Sequence, residues 1–211
     1  MNYELLNNNK VYLQGLVDSV PTLSHVTMDE KFYAFNLRVS RLSGKDDILP
    51  ITMSEKFIEI ANIDLGSKLA LKGQFRSHNK LENGKSKLQL SIFCRELCEW
   101  DSHPNSNIIE LCGYVCKSPI YRTTPFNREI CDMLLAVNRS YNKSDYIPCI
   151  SWGRDAKFAS MLTVGKGVQL VGRIQSREYS KRLEDKDEII IKTAYEVSVS
   201  DLATLTNENI S

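Results

Sequence analysis

The sequence is poor in the features that announce a catalyst or a membrane protein. Its charge is nearly balanced, 27 basic against 26 acidic residues, so no global field draws a polyanion and any nucleic-acid site has to be a local patch. It has three histidines, one of them (His103) in a polar stretch at mid-chain. It contains no glycine-rich phosphate loop, no HExxH and no GxSxG. Its carboxylates stand in no recognisable acid–base setting; Asp46–Asp47 and Glu184–Asp185 read as solvated loop charges. No enzymatic activity is expected. No run of 18 apolar residues exists, so no membrane span or membrane partner is expected. Met1–Lys10 is polar and Asn-rich without an apolar signal core, which points to the cytoplasm.

Six cysteines in such a chain are expected to be reduced thiols. Cys94–Cys98 and Cys112–Cys116 form two C-x3-C pairs, a spacing near that of zinc knuckles. Both pairs lie in strand-like segments, where small buried thiols account for them more simply. No metal and no cofactor are expected.

What is present is a repeat. Gly15, Pro21, Val39, Arg41 and Pro50 recur 98 positions later as Gly113, Pro119, Val137, Arg139 and Pro148. After a one-residue slip, Gly66 and Gly73 recur as Gly165 and Gly172. The chain is therefore read as two copies of one domain, at residues 1–100 and 107–200, with the boundary in Asp101–Asn107 (DSHPNSN). The tail after Val199 is expected to fray.

Each copy alternates apolar and polar residues with period two. In the first, Lys10–Val17, Phe32–Arg41, Lys68–Ser77 and Ser86–Arg95 do so; in the second, Ile108–Val115, Glu129–Arg139, Tyr146–Trp152, Gly167–Glu178 and Glu188–Val199. Short helical stretches at Ser54–Ile63 and Arg154–Leu162 precede a glycine. Three strands, one short helix and two strands is the element order of a five-stranded Greek-key barrel of the OB type. The expected fold is all-β: two tandem five-stranded OB-fold barrels, each with one short helix. Pro50 and Pro148 mark an edge or bulge common to both.

The second copy interleaves rings with cations. Tyr141 lies between Arg139 and Lys143, Tyr146 opens a strand that Trp152 closes, and Arg154 and Lys157 follow. Tyr179 is bracketed by Arg177, Lys181 and Arg182. Sequence-tolerant binding of a single strand needs flat rings for the bases and cations along the phosphates. Taken singly, each ring could as well fill a β core. The repeat separates the two readings. Ser43, Ile48 and Ser54 stand 98 positions before Tyr141, Tyr146 and Trp152, and Lys80 stands under Tyr179 after the slip. Core positions stay apolar in both copies of a fold, so exchange to Ser, Ser and Lys places at least three of the rings at the surface, where an exposed ring marks binding. Arg154, Lys157, Arg173 and Lys181 likewise face Lys56, Glu59, Gln74 and Glu82 in the first copy. The second copy is read as the binding domain, the first as a degenerate scaffold or oligomerisation domain.

At this point Asn107–Val199 resembles the OB domain of bacterial single-stranded DNA-binding proteins. The matching stretches are IIELCGYVCKSPIYR, EICDMLLAVNRSY, DYIPCISWGRDAKFA and VGKGVQLVGRIQSREY. The resemblance implies that Tyr141, Tyr146, Trp152 and Tyr179 stack on bases and that Arg122, Arg154, Arg173 and Arg177 meet the backbone. It also implies a bacterial, nucleoid-associated role in replication, repair or recombination, with single-stranded DNA as partner. Family members with one barrel per chain commonly form tetramers, so a dimer of this chain, giving four barrels, is expected. The family's long tail with an acidic, Phe-tipped end has no counterpart in Asn209–Ile210–Ser211, which counts against recruitment by that route; replication or repair proteins stay among the candidate partners. The first copy resembles the family less; Asn83–Leu90 (NGKSKLQL) is also similar to a stretch of the primosomal replication protein that shares this fold. A primosome-like adaptor whose barrels bind proteins, and RNA binding, remain the other readings.

Overall fold

A computed structural model describes residues 7–82, 84–101, 106–183 and 186–205. The first copy contains β1 (Asn9–Val17), β2 (Thr22–Thr27), β3 (Glu30–Ser40), β4 (Asp46–Ser54), α1 (Glu55–Ala61), β5 (Lys68–Glu82) and β6 (Lys85–Cys98). The second repeats the series as β7 (Asn107–Val115), β8 (Ile120–Thr123), β9 (Glu129–Arg139), β10 (Lys143–Trp152), α2 (Gly153–Ser160), β11 (Gly167–Leu183) and β12 (Lys186–Thr204). The pairings β1–β3, β3–β4, β4–β6, β6–β5 and β5–β1 close a five-stranded barrel, with β4 and β6 parallel. The pairings β7–β9–β10–β12–β11–β7 close the other. Both are OB barrels, in tandem as the pattern predicts.

The repeated glycines sit where the barrel wall bends. β1 pairs with β5 as far as Leu16 and passes to β3 at Leu16–Val17. A Cβ on Gly113, at the equivalent bend of β7, would lie 2.7 Å from the Ala136 carbonyl oxygen; one on Gly15 would strike the Arg38 carbonyl in the same way. Gly73 and Gly172 occupy matching register shifts of β5–β6 and β11–β12. Pro50 and Pro148 each stand immediately before the two-residue parallel bridge that closes their barrel, where a missing N–H breaks no ladder.

Leu13, Leu37, Leu49, Leu71 and Phe75 fill the first barrel, and Leu111, Leu135, Val137, Ile147 and Ile174 the second. Ala156 and Ala159 of α2 are fully buried against the second. The thiols are free, and burial pushes the Cys94 thiol up to about 12.

Three expectations need correction. Each barrel carries a short extra strand, β2 on β3 and β8 on β9, whose residues are exposed throughout and so lack the alternation that signals a strand. The tail does not fray at Val199: β12 runs to Thr204 and buries Leu202. Residues 206–211, and with them the end of the expected tail, lie outside the described residues, as does most of the expected linker. Asp47 is no solvated loop charge; it is fully buried.

The burial of Asp47 follows from how the copies join. β1 pairs antiparallel with β7, Asn9 with Leu111 through Leu13 with Asn107, so one sheet runs through both barrels. Its strand order reads the same from either end: β2-β3-β4-β6-β5-β1, then β7-β11-β12-β10-β9-β8. The polar contacts repeat about this pseudo-twofold. Asp47 Oδ1 accepts from the Ser176 backbone N–H (2.7 Å) and pairs with Arg41 (2.5 Å). Asp145 Oδ1 accepts from the Ser77 N–H (2.8 Å) and pairs with Arg139 (3.3 Å). The Ser176 and Ser77 hydroxyls lie within hydrogen-bond reach of Ile48 N–H and Tyr146 N–H at 3.2 and 2.7 Å. Each copy thus buries an aspartate in a socket that the other completes.

Candidate nucleic-acid interface

Trp152 ends β10 and stands at the N-cap of α2, a position where its side chain makes no cap bond. Ser54 holds the same place before α1, and its hydroxyl accepts from Lys56 N–H. Serine is a favoured N-cap and tryptophan is not, so the second copy keeps its indole for something other than helix stability. The indole is 37% exposed and donates through Nε1 to Ser198 Oγ at 3.2 Å. Ser54 itself is buried, held by Glu30 as well as by the cap, which corrects the expectation that the loss of the ring there marks a solvent-facing position.

The indole lines a groove of about 400 Å3 with Arg128, Arg173 and Arg177 of its own copy and Arg41 and Lys45 of the other. Among the described residues lining it there are five cations and no carboxylate. Arg41 and Lys45 reach it from the β3–β4 turn, across the seam. Sequence comparison between the copies overlooks them because it assigns each copy its own site; Arg41 and Arg139 are identical and raise no contrast.

Tyr141 is 86% exposed at the β9–β10 turn, with a positive φ of 62°. It lines a different groove, of about 490 Å3, in which Arg139, Lys143 and Asp145 face Arg76 and Arg95 of the first copy. The two grooves correspond only in part about the pseudo-twofold: Arg139, Lys143, Gln74 and Arg76 stand in one where Arg41, Lys45, Arg173 and Gln175 stand in the other. Tyr146 lies at the seam, where its backbone N–H donates to the Ser77 hydroxyl, and is 45% exposed. Tyr179 stands farther out on the β11–β12 hairpin, opposite Lys192, with the Arg177 guanidinium 6.0 Å from its ring centre. All four rings are accessible, and among the described residues none contacts another. They are spaced along the second copy and do not form one cluster.

The sequence-predicted cations differ in how they are held. Arg154 is almost fully exposed, 3.9 Å from Asp155. Arg122 and Lys157 form surface pairs with Asp132 (2.7 Å) and Glu129 (3.1 Å), which contribute little and exchange readily for a phosphate; Arg177 lies 3.6 Å from Glu196, which is buried and accepts from Gln175 Nε2. Hydrogen bonding to Asp132 raises the Arg122 pKa. Arg139 and Arg173 are engaged at the seam with Asp145 and Asp47, and burial followed by the nearby Arg41 lowers the Arg173 pKa. Lys181 lies on β11, and its side chain is outside the described residues.

Residues 106–204 match the profile of the single-strand binding protein family. Single-stranded DNA-binding protein A of Bacillus subtilis is 32% identical over 83 residues, 36% of this chain and 48% of that protein. Single-stranded DNA-binding protein 1 of Staphylococcus aureus is 34% identical over 83 residues, 36% and 50% respectively. The match spans about half the length of these curated relatives. The wild-type single-stranded DNA binding protein from Thermus aquaticus has the same fold at a TM-score of 0.72, over 94% of this chain and 93% of that one, at 18% identity.

Proposed function

We propose that the chain, whose residues 106–204 match the profile of the single-strand binding protein family, is a member of it that binds and covers single-stranded DNA without catalysis and with little regard to base sequence. The observation that carries this reading is the exposed Trp152 indole over a groove lined by five cations, whose carboxylate partners Asp47 and Glu196 are buried behind it. A base stacks on the ring while the adjoining phosphates exchange water for guanidinium and ammonium groups. Tyr141, Tyr146 and Tyr179 extend the stacking track, and Arg154, Lys157 and Arg122 supply backbone contacts along it. The role is protection of exposed strands in replication, repair or recombination, within the bacterial cytoplasm. A dimer of the chain would present four barrels.

The test is a titration with oligo-dT in a Trp100→Phe background, followed by quenching of Trp152. Trp152→Ala is expected to weaken binding by about 1–3 kcal/mol, and raising the salt is expected to weaken it further by counterion uptake. Negligible binding at low salt would overturn the reading and leave the rings as a protein-docking surface, the adaptor alternative.

A further inference from the structure

The first copy has not lost its rings; it has moved them to neighbouring strands. Ser54 is the counterpart of Trp152, and directly across β3–β4 from Ser54 lies Phe32. Across β9–β10 from Trp152 lies Ile130, which is buried. The Trp152 indole reaches to Ser198, which pairs with Arg173; the matching place in the first copy, paired with Gln74, is held by Phe93. Phe32 and Phe93, both half-buried, meet with ring centres 5.6 Å apart. One ring on the middle strand has been replaced by two on its flanks, over the same part of the barrel wall.

The row continues at both ends. His25, opposite Phe32 on β2, stacks on it at 5.0 Å with the planes 9° apart. His25 is exposed and stands where the second copy has Arg122. At the other end the Arg76 guanidinium lies 3.8 Å from the Phe93 ring centre. Arg76 in turn opens into the Tyr141 groove, which holds Arg76, Arg95, Arg139 and Lys143 against one carboxylate, Asp145, already engaged at the seam. Burial, and then the like charge of Arg139, draw the Arg76 pKa down to about 10, a cation that a bound anion would relieve.

We propose that the first copy carries a second binding face for a single nucleic-acid strand, with bases on the His25–Phe32–Phe93 row and phosphates on Arg76, Arg95 and Lys143. The inference rests on the strand-binding reading above and assigns to the first copy a contact role beyond that of a scaffold. Because Lys143 and Tyr141 come from the second copy, this face is completed across the seam, as the Trp152 groove is completed by Arg41 and Lys45.

The test uses the full chain in the Trp100→Phe background. Phe32→Ile installs the residue type that the second copy tolerates at this place, Phe93→Ser does the same on β6, and circular-dichroism melting checks that both fold. Short oligo-dT, about 4–16 nucleotides for one barrel, should quench Trp152 in the variants as in the parent. The length of poly-dT covered per chain should fall to about half. Ultraviolet cross-linking of oligo-dT to the unaltered protein should give adducts on peptides containing Phe32 or Phe93 besides those around Trp152. Full quenching with unchanged covered length, and adducts confined to the second copy, would overturn the second face and leave the first reading standing. Absence of quenching by any strand would overturn both.

Discussion

At the scale of the residue, the pair Ser54 and Trp152 shows how one position serves two ends. The serine satisfies a backbone N–H of α1 and is buried beneath the surface; the tryptophan leaves α2 without a side-chain cap and stays exposed. Ser54→Ala is accordingly expected to lower stability by about 0.5–2 kcal/mol, read as a shift of the thermal midpoint, with affinity for short oligo-dT unchanged. A change in affinity with no change in melting would place Ser54 in the contact surface instead. The contrast between the copies was legible in the sequence as a missing ring. Its compensation was not, because Phe32 and Phe93 are far from Ser54 in sequence and become its neighbours only through strand pairing.

At the scale of the element, the strands of the barrels follow from alternation, and the glycines from close approach. Gly113 stands where β7 leaves β11 for β9, and a methyl group there would press on the Ala136 carbonyl. Backbone cannot give way as a flexible side chain does, so Gly113→Ala is expected to cost about 1–3 kcal/mol, measured by urea unfolding. The repeat of this glycine at the same offset as Pro50 and Pro148 is therefore a record of barrel geometry, and it was readable without a structure. The strands β2 and β8 were not: every residue of each is exposed, so no hydrophobic period marks them. They exist because β3 and β9 offer a free edge to a chain that must turn back anyway. The element that sequence reasoning left without a role, β2, is the one that carries His25.

At the scale of the whole molecule, the seam explains charges that sequence reasoning set aside. Asp47 is buried between Arg41, Arg173 and the Ser176 backbone. An aspartate beside another at a turn reads as solvated, and only the other copy, more than a hundred residues along the chain, makes it an interior group. Removing it leaves the Ser176 N–H without its acceptor and two partly exposed guanidinium groups without their counterion. Asp47→Ala is expected to destabilise the chain by about 1–3 kcal/mol, seen in thermal melting. A loss within the range of an ordinary surface change would show that the socket contributes no more than an exposed pair.

The mirror-like strand order about β1 and β7 bears on direction. A nucleic-acid strand has a 5′ and a 3′ end, whereas a twofold axis turns every surface end for end. Two identical faces related by such an axis meet a strand that runs straight across them in opposite senses, so that a set of side chains suited to one polarity is reversed at the other. Identical subunits cannot escape this, because each substitution is written into both. Here the two faces are encoded separately in one chain, and they differ in the very residues that would stack: one indole on one side, two phenyl rings on the other. Covalent pairing therefore frees each face to suit the sense in which the strand crosses it.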